Sequence, residues 1–363
     1  MSRREDFSDV YRHAFEGKRI ADGENGPAVS MEEGRLNEIL VALHKRLSLD
    51  GTRKHFSLSR PELDGALDSL VREGLVQEET LRPLCMVITR DEGKALFTLS
   101  DELLEEGAEL VEEKLKDIRT IADGIESLHP FAFSDISFFL LSTVALDVLQ
   151  LDAMERRFLN SPRPKRKGGR YYYSVQEKTD PDKEAFGIYG NQFERFEDMV
   201  LSVYGNRRNA LHFLSAGIGD LRRLFSAHFD GTLHEVKTRL LKRYMEAVQE
   251  TLTLEASEVR GFEALGLMEN GRFSMPLFKP GDEARLARIA GTLEDGLLAL
   301  FERARPQLEM HYRRMGYDEE VSFASFFIWW YHFFYTALTD TLAERGVIDI
   351  PKSGVFSYLL KRG

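Results

Sequence analysis

The histidines, the cysteine and the glycine-rich stretches of this chain do not combine into a catalytic pattern. His228 and His234 lie six residues apart, so a helix does not place both rings on one face, and no cysteine is near enough to complete a zinc site. The stretch Ala-Gly-Ile-Gly-Asp at residues 216–220 lacks the third glycine and the preceding strand of a dinucleotide-binding loop. Walker-A, Gly-x-Ser-x-Gly and His-Glu-x-x-His phrases are absent from the sequence. We therefore predict a protein that is not an enzyme and that binds no metal or cofactor.

Composition sets the outer limits on the class of protein. A chain of 363 residues holds two or three domains, and its apolar content is ample for their cores. The single cysteine, Cys85, excludes internal disulfides and fits a reducing compartment. Residues 1–10 are charged and lack the apolar stretch of a signal peptide, so we predict a cytoplasmic protein. The net charge of −11 argues against a strongly basic nucleic-acid protein taken whole, although a local basic patch is compatible with it.

The most informative stretch runs from residue 58 to residue 96. Ser59 and Glu62 have the S-x-x-E spacing of a capping box, which predicts that a helix begins at Ser59. Gly74 is placed to end that helix. Residues 75–76, a polar tip at 77–83 and the apolar run 85–88 then predict two strands around a turn. The apolar stripe of the helix is formed by Leu63, Ala66, Leu67, Leu70 and Val71.

This order of elements resembles the winged-helix domain of bacterial transcription regulators of the MarR and ArsR kind. In those families the recognition helix ends in Gly-Leu-Val or Gly-Leu-Ile, a β-wing follows, and a Leu-Thr-x-x-Gly-x-x-Leu phrase closes the domain. Here residues 88–96 read Ile-Thr-Arg-Asp-Glu-Gly-Lys-Ala-Leu, with Thr89 and Gly93 one residue further apart. The resemblance covers residues 35–98, and the apolar face of residues 35–49 predicts the first helix of the domain. It implies contacts to DNA from Arg53, Lys54, His55, Ser59, Arg60, Arg72 and Arg82.

Residues 99–130 carry a heptad seam. Apolar residues recur in steps of four and three between residues 101 and 126, which predicts a long helix that packs against a partner helix, in the same chain or in a second copy. We predict a homodimer on this basis. Ten acidic residues against three basic ones lie between residues 101 and 126, so this helix should point away from nucleic acid. The seam consists of Leu104, Ala108, Val111, Leu115, Ile118, Ala122 and Ile125.

The region 131–208 changes character twice. Residues 134–151 are apolar and nearly uncharged, which predicts a buried helix. Residues 156–170 hold seven Lys or Arg and no acid, with two prolines and a glycine pair, and predict a flexible basic loop. Residues 171–175 and 186–189, around a turn at 179–182, predict a β-hairpin. Basic and aromatic residues are adjacent here, as in single-strand binders, although tyrosine-rich hairpins more often serve packing.

Two further regions are the N-terminal segment and the stretch that begins at residue 192. Residues 1–34 are polar and predict a short helix followed by a loose loop. Residues 192–252 are predicted to be helical, and residues 209–280 to form a second winged-helix-like unit, because Gly-Leu-Met at 266–268 repeats the helix ending found at Gly74. Pro276 would restrict the following strand to a sheet edge.

The C-terminal helical region, residues 281–363, contains an aromatic run at 321–338. The run is long enough to span a membrane, but its tryptophans and tyrosines lie in the middle rather than at the ends, so we predict a core helix and no membrane contact. One face of it is predicted to line an effector pocket, together with the tyrosine hairpin and the helix at 134–151. The candidate ligand-binding residues are Tyr171, Tyr173, Trp329, Trp330, His332 and Tyr335.

The predicted fold is mainly α with small β-wings, and two functions are compatible with it. The first is a ligand-responsive, DNA-binding transcription regulator that senses a small-molecule effector. The second is a protein whose winged helices dock on other proteins, as kleisin-type and related subunits of chromosome-organising ATPases do. Charge discriminates between them, because the eight outward positions of the candidate recognition helix, residues 60–73, sum to −2 and the tip at 77–83 holds two acids and only Arg82.

Overall fold

The computed structural model describes residues 14–178, 185–205 and 211–361. The predicted turn at 179–182 lies outside these ranges, as does the start of the predicted polar segment 1–34. The helices are α1 (Leu36–His44), α2 (Leu49–His55), α3 (Arg60–Glu73), α4 (Arg90–Ala122), α5 (Phe133–Phe158), α6 (Ile218–Leu224), α7 (Leu233–Val248), α8 (Ala256–Ala264), α9 (Asp282–Arg314) and α10 (Phe323–Glu344). The strands are β1 (Phe15–Ala21), β2 (Met86–Ile88), β3 (Lys165–Arg166), β4 (Gly169–Glu177), β5 (Gly190–Phe196), β6 (Met199–Gly205), β7 (Met268–Glu269), β8 (Arg272–Phe273), β9 (Leu277–Phe278) and β10 (Val355–Lys361).

The protein is a mixed α/β protein in which helix predominates, so the predicted helical character is confirmed but the sheets extend beyond small wings. The chain divides into two compact units. Unit 1 consists of Met1–Glu105, Leu151–Ile188 and Leu298–Ala337, and unit 2 of Glu106–Gln150, Tyr189–Leu297 and Leu338–Gly363.

The sheet of unit 1 is built around β4. Strand β1 pairs with it antiparallel, with Phe15 opposite Glu177, and β2 pairs with it parallel, with Val87 opposite Val175. Alternation along β4 directs Tyr171 and Tyr173 into the core shared with α1 and α3. The predicted hairpin is therefore wrong, because residues 186–189 form no strand and β4 pairs with β1 and β2 instead. The short helix expected in residues 1–34 is also wrong for residues 15–21, which form β1.

The ends of α3 agree with the prediction. Ser59 caps its own helix through a capping box: its backbone N–H donates to Glu62 Oε2 at 2.7 Å, and its hydroxyl accepts from the Glu62 N–H at 3.4 Å. Gly74 ends the helix in the left-handed region at φ 78°, a conformation that glycine adopts without steric cost. The predicted core positions on this helix are buried: Leu63, Leu67 and Leu70.

The elements around α3 differ in detail from the prediction. An additional short helix, α2, precedes α3, because the Ser48 hydroxyl accepts from the Gly51 N–H at 3.1 Å and caps it. The strands at Leu75 and Val87 do not pair with each other. A single bridge joins Val76 to Pro83 and closes the hairpin, and β2 continues into the sheet beside β4.

The sheet of unit 2 is built around β10. Strand β6 pairs with β10 antiparallel, with Val355 opposite Gly205, and β9 pairs with it parallel, with Leu359 opposite Leu277. Strand β5 forms a tight hairpin with β6. The prediction of helix across 192–252 is wrong for β5 and β6, because cross-strand pairing outweighs the weak helical pattern of these residues.

One order of elements occurs twice along the chain, at residues 15–177 and 199–361. Among the described residues each copy has a first strand (β1 or β6), three helices and a hairpin, a short strand (β2 or β9), a 33-residue helix (α4 or α9), an apolar helix (α5 or α10) and a central strand (β4 or β10). In both sheets the central strand is antiparallel to the first strand of its copy and parallel to the short one. The two apolar helices share the phrase Ser-x-x-Ser-Phe-Phe, at 134–139 and 322–327. The chain is therefore built from two copies of one topology.

The heptad seam lies on α4, which begins at Arg90 rather than near residue 101. Within one chain Ala108, Val111 and Ile118 are buried, whereas Leu104 and Leu115 are half-buried. In unit 2 this helix contacts α9, where a Cβ added at Gly296 would lie 2.4 Å from Leu110 Cδ1. A partner helix of the same chain therefore covers part of this helix, and the homodimer stays a prediction.

The two apolar helices are core helices. Among the described residues one helix, α5, is long and apolar enough to cross a membrane, and 83% of its most apolar window is buried inside the protein. It contains a π-helical stretch, Phe138–Val148. The predicted aromatic core helix is confirmed as α10, in which both Trp329 and Trp330 are fully buried.

Replacing Gly168 with alanine is expected to destabilise the protein by roughly 2–4 kcal/mol, a cost in the upper range for overpacking. A Cβ at this position would lie 1.7 Å from the carbonyl oxygen of Gly26, and that backbone is held because the Gly26 N–H donates to the Gly168 carbonyl at 3.2 Å. Urea unfolding measures the loss. The control is Gly65→Ala on the open face of α3, where nothing lies within 4 Å and alanine should stabilise the helix. Equal effects of the two substitutions would contradict the contact.

Candidate interaction surface

The exposed face of α3 and the hairpin tip at 77–83 form the surface that the winged-helix resemblance singles out; we call it the α3 face. Most of the predicted outward positions of α3 are exposed, with Ser69 half-buried. Glu73 is the exception, since it is 0% exposed and does not belong to this face. The exposed charges that remain on the helix are Arg60, Glu62, Asp64, Asp68 and Arg72, which still leaves one negative charge in excess.

Helices α2 and α3 and the hairpin bring the predicted DNA-contacting residues together in unit 1, but neighbouring acids occupy most of the cations. Arg53 and Lys54 both pair with Asp50, at 3.0 and 2.5 Å. Arg82, the single cation of the hairpin tip, pairs with Glu319 at 2.9 Å. The basic residues of the α3 face therefore have little charge left for phosphate groups.

The remaining predicted contacts have other structural partners. Arg60 is 88% exposed and lies 3.9 Å from Asp64, and the Nε of Arg72 donates to the Asp68 carbonyl at 3.1 Å. The Ser59 hydroxyl serves as the N-cap of α3. His55 is half-buried against Phe56, with the two rings 4.9 Å apart.

Glu73 anchors the C-terminal end of α3 to distant parts of unit 1. Its carboxylate accepts hydrogen bonds from the Ala28 N–H at 3.0 Å, the Gly168 N–H at 3.2 Å and the Tyr171 hydroxyl at 2.5 Å. Burial, with this hydrogen bond, raises the pKa of Tyr171 well above its usual range, so the phenol stays a donor. The loop before α1 and the start of β4 are thus fixed on one carboxylate.

The basic segment 156–170 is structural rather than flexible. Arg166 is buried, and its guanidinium donates to the carbonyl of Gly74 and, at 2.6 Å, to that of Leu84. Burial lowers the pKa of Arg166. This arginine joins the end of α3 to the base of the hairpin. The predicted loop is wrong for residues 165–166 and 169–170, which form strands, and two of its cations, Arg163 and Arg166, are buried and hydrogen-bonded.

A second charged cluster fixes the hairpin side of unit 1. His44, the last residue of α1, binds Glu320 through Nδ1 at 2.7 Å and Glu92 through Nε2 at 2.9 Å. The Tyr317 ring stacks on the imidazole at 5.9 Å, and its hydroxyl donates to the Val87 carbonyl at 2.7 Å. Burial by itself lowers the pKa of His44, but its hydrogen bonds to Glu320 and Glu92, with their charges, raise that pKa from 6.5 to about 9.

The candidate ligand-binding residues fall into two groups. Tyr171 and Tyr173 lie in the core of β4 with α1 and α3, where the Tyr173 hydroxyl donates to Asn37 Oδ1 at 2.9 Å. The other group lies on α10: Trp329, Trp330, His332 and Tyr335. There the His332 ring lies 5.0 Å from that of Tyr335, and burial lowers the pKa of His332 to about 4, which leaves the imidazole neutral. The effector pocket stays a prediction.

Comparison with protein-family models, curated proteins and solved structures found no match to this chain. Within residues 14–178, 185–205 and 211–361, no group of three His, Cys, Asp or Glu side chains is arranged to hold a metal ion. A functional assignment therefore depends on the surfaces and clusters described here. The sequence alone did not identify Glu73, Arg166 or Glu320 as structural residues. The one available signal was that segment 156–170 contains no acid, so its cations need partners elsewhere in the chain.

Proposed function

We propose that the protein is an interaction protein in which two winged-helix-like units, residues 35–98 and 209–280, dock on other proteins. The observation that supports this proposal is the acidic α3 face. A helix that enters the major groove approaches two phosphate backbones and needs uncompensated cations. Here Asp64 and Asp68 are exposed at the centre of the face, and Arg82 at the tip is paired with Glu319.

The corresponding helix of the second copy, α8, supports the same proposal. It carries Glu258, Arg260 and Glu263, an excess of one acid, and Arg243 of α7 forms an ion pair with Glu258. Neither candidate recognition helix therefore offers a basic surface.

The α3 face also has the chemistry of a protein contact. Leu84 at the base of the hairpin is 37% exposed, beside a surface rich in acid. Apolar side chains rimmed by charge are typical of transient protein interfaces. The complementary partner is a protein surface with Lys or Arg around an apolar patch.

The competing proposal is the ligand-responsive transcription regulator. The order of three helices and a hairpin in residues 36–88 favours it, as does the exposed Arg60 at the start of α3. The two proposals predict opposite responses to a reversal of charge on the α3 face.

The variant Asp64→Lys/Asp68→Lys replaces two negative charges of the α3 face with two positive ones and separates the two functions. If the face docks on a basic protein surface, photo-crosslinking from position 65 in cells should capture a partner with the wild-type protein and lose it with the variant, because the complementary charge has been reversed. A control of equal charge, Asp101→Lys/Glu109→Lys on exposed positions of α4, should retain the capture.

A salt-titrated shift assay on the DNA upstream of its own gene is the second measurement. DNA affinity that the wild-type protein already shows, and that falls steeply with added salt, would contradict the docking proposal and support the regulator. Capture of the same protein by the Asp64→Lys/Asp68→Lys variant would also contradict it.

A further inference from the structure

Unit 1 contains a charged cavity of about 460 Å³ beside the start of β4. Its wall is formed by Asp22 and by residues of the segment 152–170. A volume of this size lies in the range of small-molecule sites.

Three acids of this wall share one buried cation. Arg163 is 7% exposed and contacts three carboxylates, Glu155 through Nε at 2.7 Å, Asp22 through Nη1 at 2.7 Å and Asp152 through Nη2 at 3.3 Å. With every nitrogen engaged, its guanidinium is part of the frame of the cavity and not a ligand-binding group. Arg163 offsets one of the three carboxylate charges, and the other two arginines of the wall, Arg156 and Arg170, offset the remaining two.

Two other arginines of the wall have no carboxylate partner in the part of the chain that the structure describes. Arg156 donates from Nε to the Asp152 carbonyl at 3.1 Å, and Arg170 donates from Nη1 to the Arg163 carbonyl at 3.0 Å. Both residues are exposed, and each guanidinium has further N–H donors beyond the nitrogen engaged in these bonds. The amide of Asn160 and the hydroxyl of Ser161 line the same cavity and add neutral donors.

We propose that this cavity binds the phosphate group of a small molecule between Arg156 and Arg170. A guanidinium presents its donors as a planar fork that matches two oxygens of a phosphate, and two forks are best matched by an anion with three terminal oxygens. A carboxylate presents one edge of two oxygens to a fork, whereas the three terminal oxygens of a phosphate monoester present a separate edge to each arginine. Asn160 and Ser161 then complete the donor set around the phosphate oxygens. This site is independent of the α3 face and of the proposed docking function.

Isothermal titration of the full chain with inorganic phosphate and with phenyl phosphate tests the proposal. The wild-type protein should bind both in a saturable manner. The Arg156→Gln/Arg170→Gln variant should bind them roughly ten- to a hundredfold more weakly, the range expected for lost charge-assisted hydrogen bonds. The control Lys165→Gln/Lys167→Gln removes two exposed cations from the same segment and should leave the affinity unchanged.

Three results would overturn the proposal: absence of saturable binding by the wild-type protein, equal weakening in the control variant, or undiminished affinity in the arginine variant. Binding of a single-stranded oligonucleotide without binding of inorganic phosphate would also overturn it, in favour of a nucleic-acid contact. Because Arg156 and Arg170 are exposed, both variants should unfold at the wild-type temperature, which a thermal melt verifies.

Discussion

Raising the pH from 6 to 10 is expected to lower the free energy of unfolding by about 3 kcal/mol through His44 alone, since one pKa unit corresponds to about 1.4 kcal/mol. The folded protein holds this imidazole at a pKa of about 9 against an ordinary value of 6.5. A group whose pKa is higher in the folded state stabilises the fold fully at a pH below its pKa in the unfolded state. That stabilisation is lost as the pH rises through its pKa in the folded state. The loss should therefore fall between pH 6.5 and about pH 9.

The cluster around His44 explains the direction of this effect. Glu320 is 2% exposed and Arg46 lies 3.4 Å from it, while Glu92 also accepts from Thr89. Deprotonation of His44 leaves two carboxylates facing a neutral ring. Burial by itself raises the pKa of Glu92, but its interactions with His44 and Thr89 lower that pKa below its ordinary value. Glu92 therefore loses its stabilising contribution as the pH falls.

An NMR titration of the His44 ring, with urea unfolding at each pH, measures the prediction. His44→Gln should abolish the alkaline step, whereas His228→Gln, at a histidine whose side chain is 74% exposed, should leave it unchanged. A His44 ring that titrates near 6.5 would show that the two carboxylates do not hold its proton.

Replacing Glu73 with alanine is expected to destabilise the protein by about 3–5 kcal/mol, the cost of leaving buried polar groups without their charged partner. The substitution leaves three donors without an acceptor: the Ala28 and Gly168 N–H groups and the Tyr171 hydroxyl. Water does not replace the carboxylate at the Tyr171 hydroxyl, because Tyr171 and Glu73 are both fully buried. Chemical unfolding of the full chain gives the difference.

Two further variants identify the source of that loss. Glu78→Ala at the exposed hairpin tip should change stability by less than about 0.5 kcal/mol. In a double-mutant cycle, Tyr171→Phe should cost less in the Glu73→Ala background than in the wild type, because its acceptor is already gone. Strictly additive losses would mean that the tyrosine and the carboxylate do not interact.

The parts of the fold that follow from local chemistry were predictable. Ser59 and Gly74 set the limits of α3 through hydrogen bonds within a few residues, so their spacing alone identifies the helix. Strand pairing, in contrast, joins residues that are far apart in the sequence. Phe15 lies opposite Glu177, and no local pattern indicates a partner so far along the chain.

In the candidate site, too, contacts between distant parts of the chain could not be predicted. Helical periodicity places Glu73 on the outer side of α3, but the segment around Gly168 and Tyr171 covers it. His44 and Glu320 meet across 276 residues, a contact that charge patterns in the sequence do not reveal. The exposure of Asp64 and Asp68 was predictable, because the period of an amphipathic helix shows which of its residues face solvent.

The position of the central strands has a consequence for synthesis of the chain. At ordinary translation rates, β1 leaves the ribosome on the order of 10 s before β4 can pair with it, and β6 waits equally long for β10. During that interval β1 and β6 each have an edge that lacks its partner strand, and an unpaired edge invites aggregation. A nascent chain should therefore depend on chaperones until Glu177, and again until Lys361, has emerged, and slow codons in those two intervals should lower the yield of folded protein.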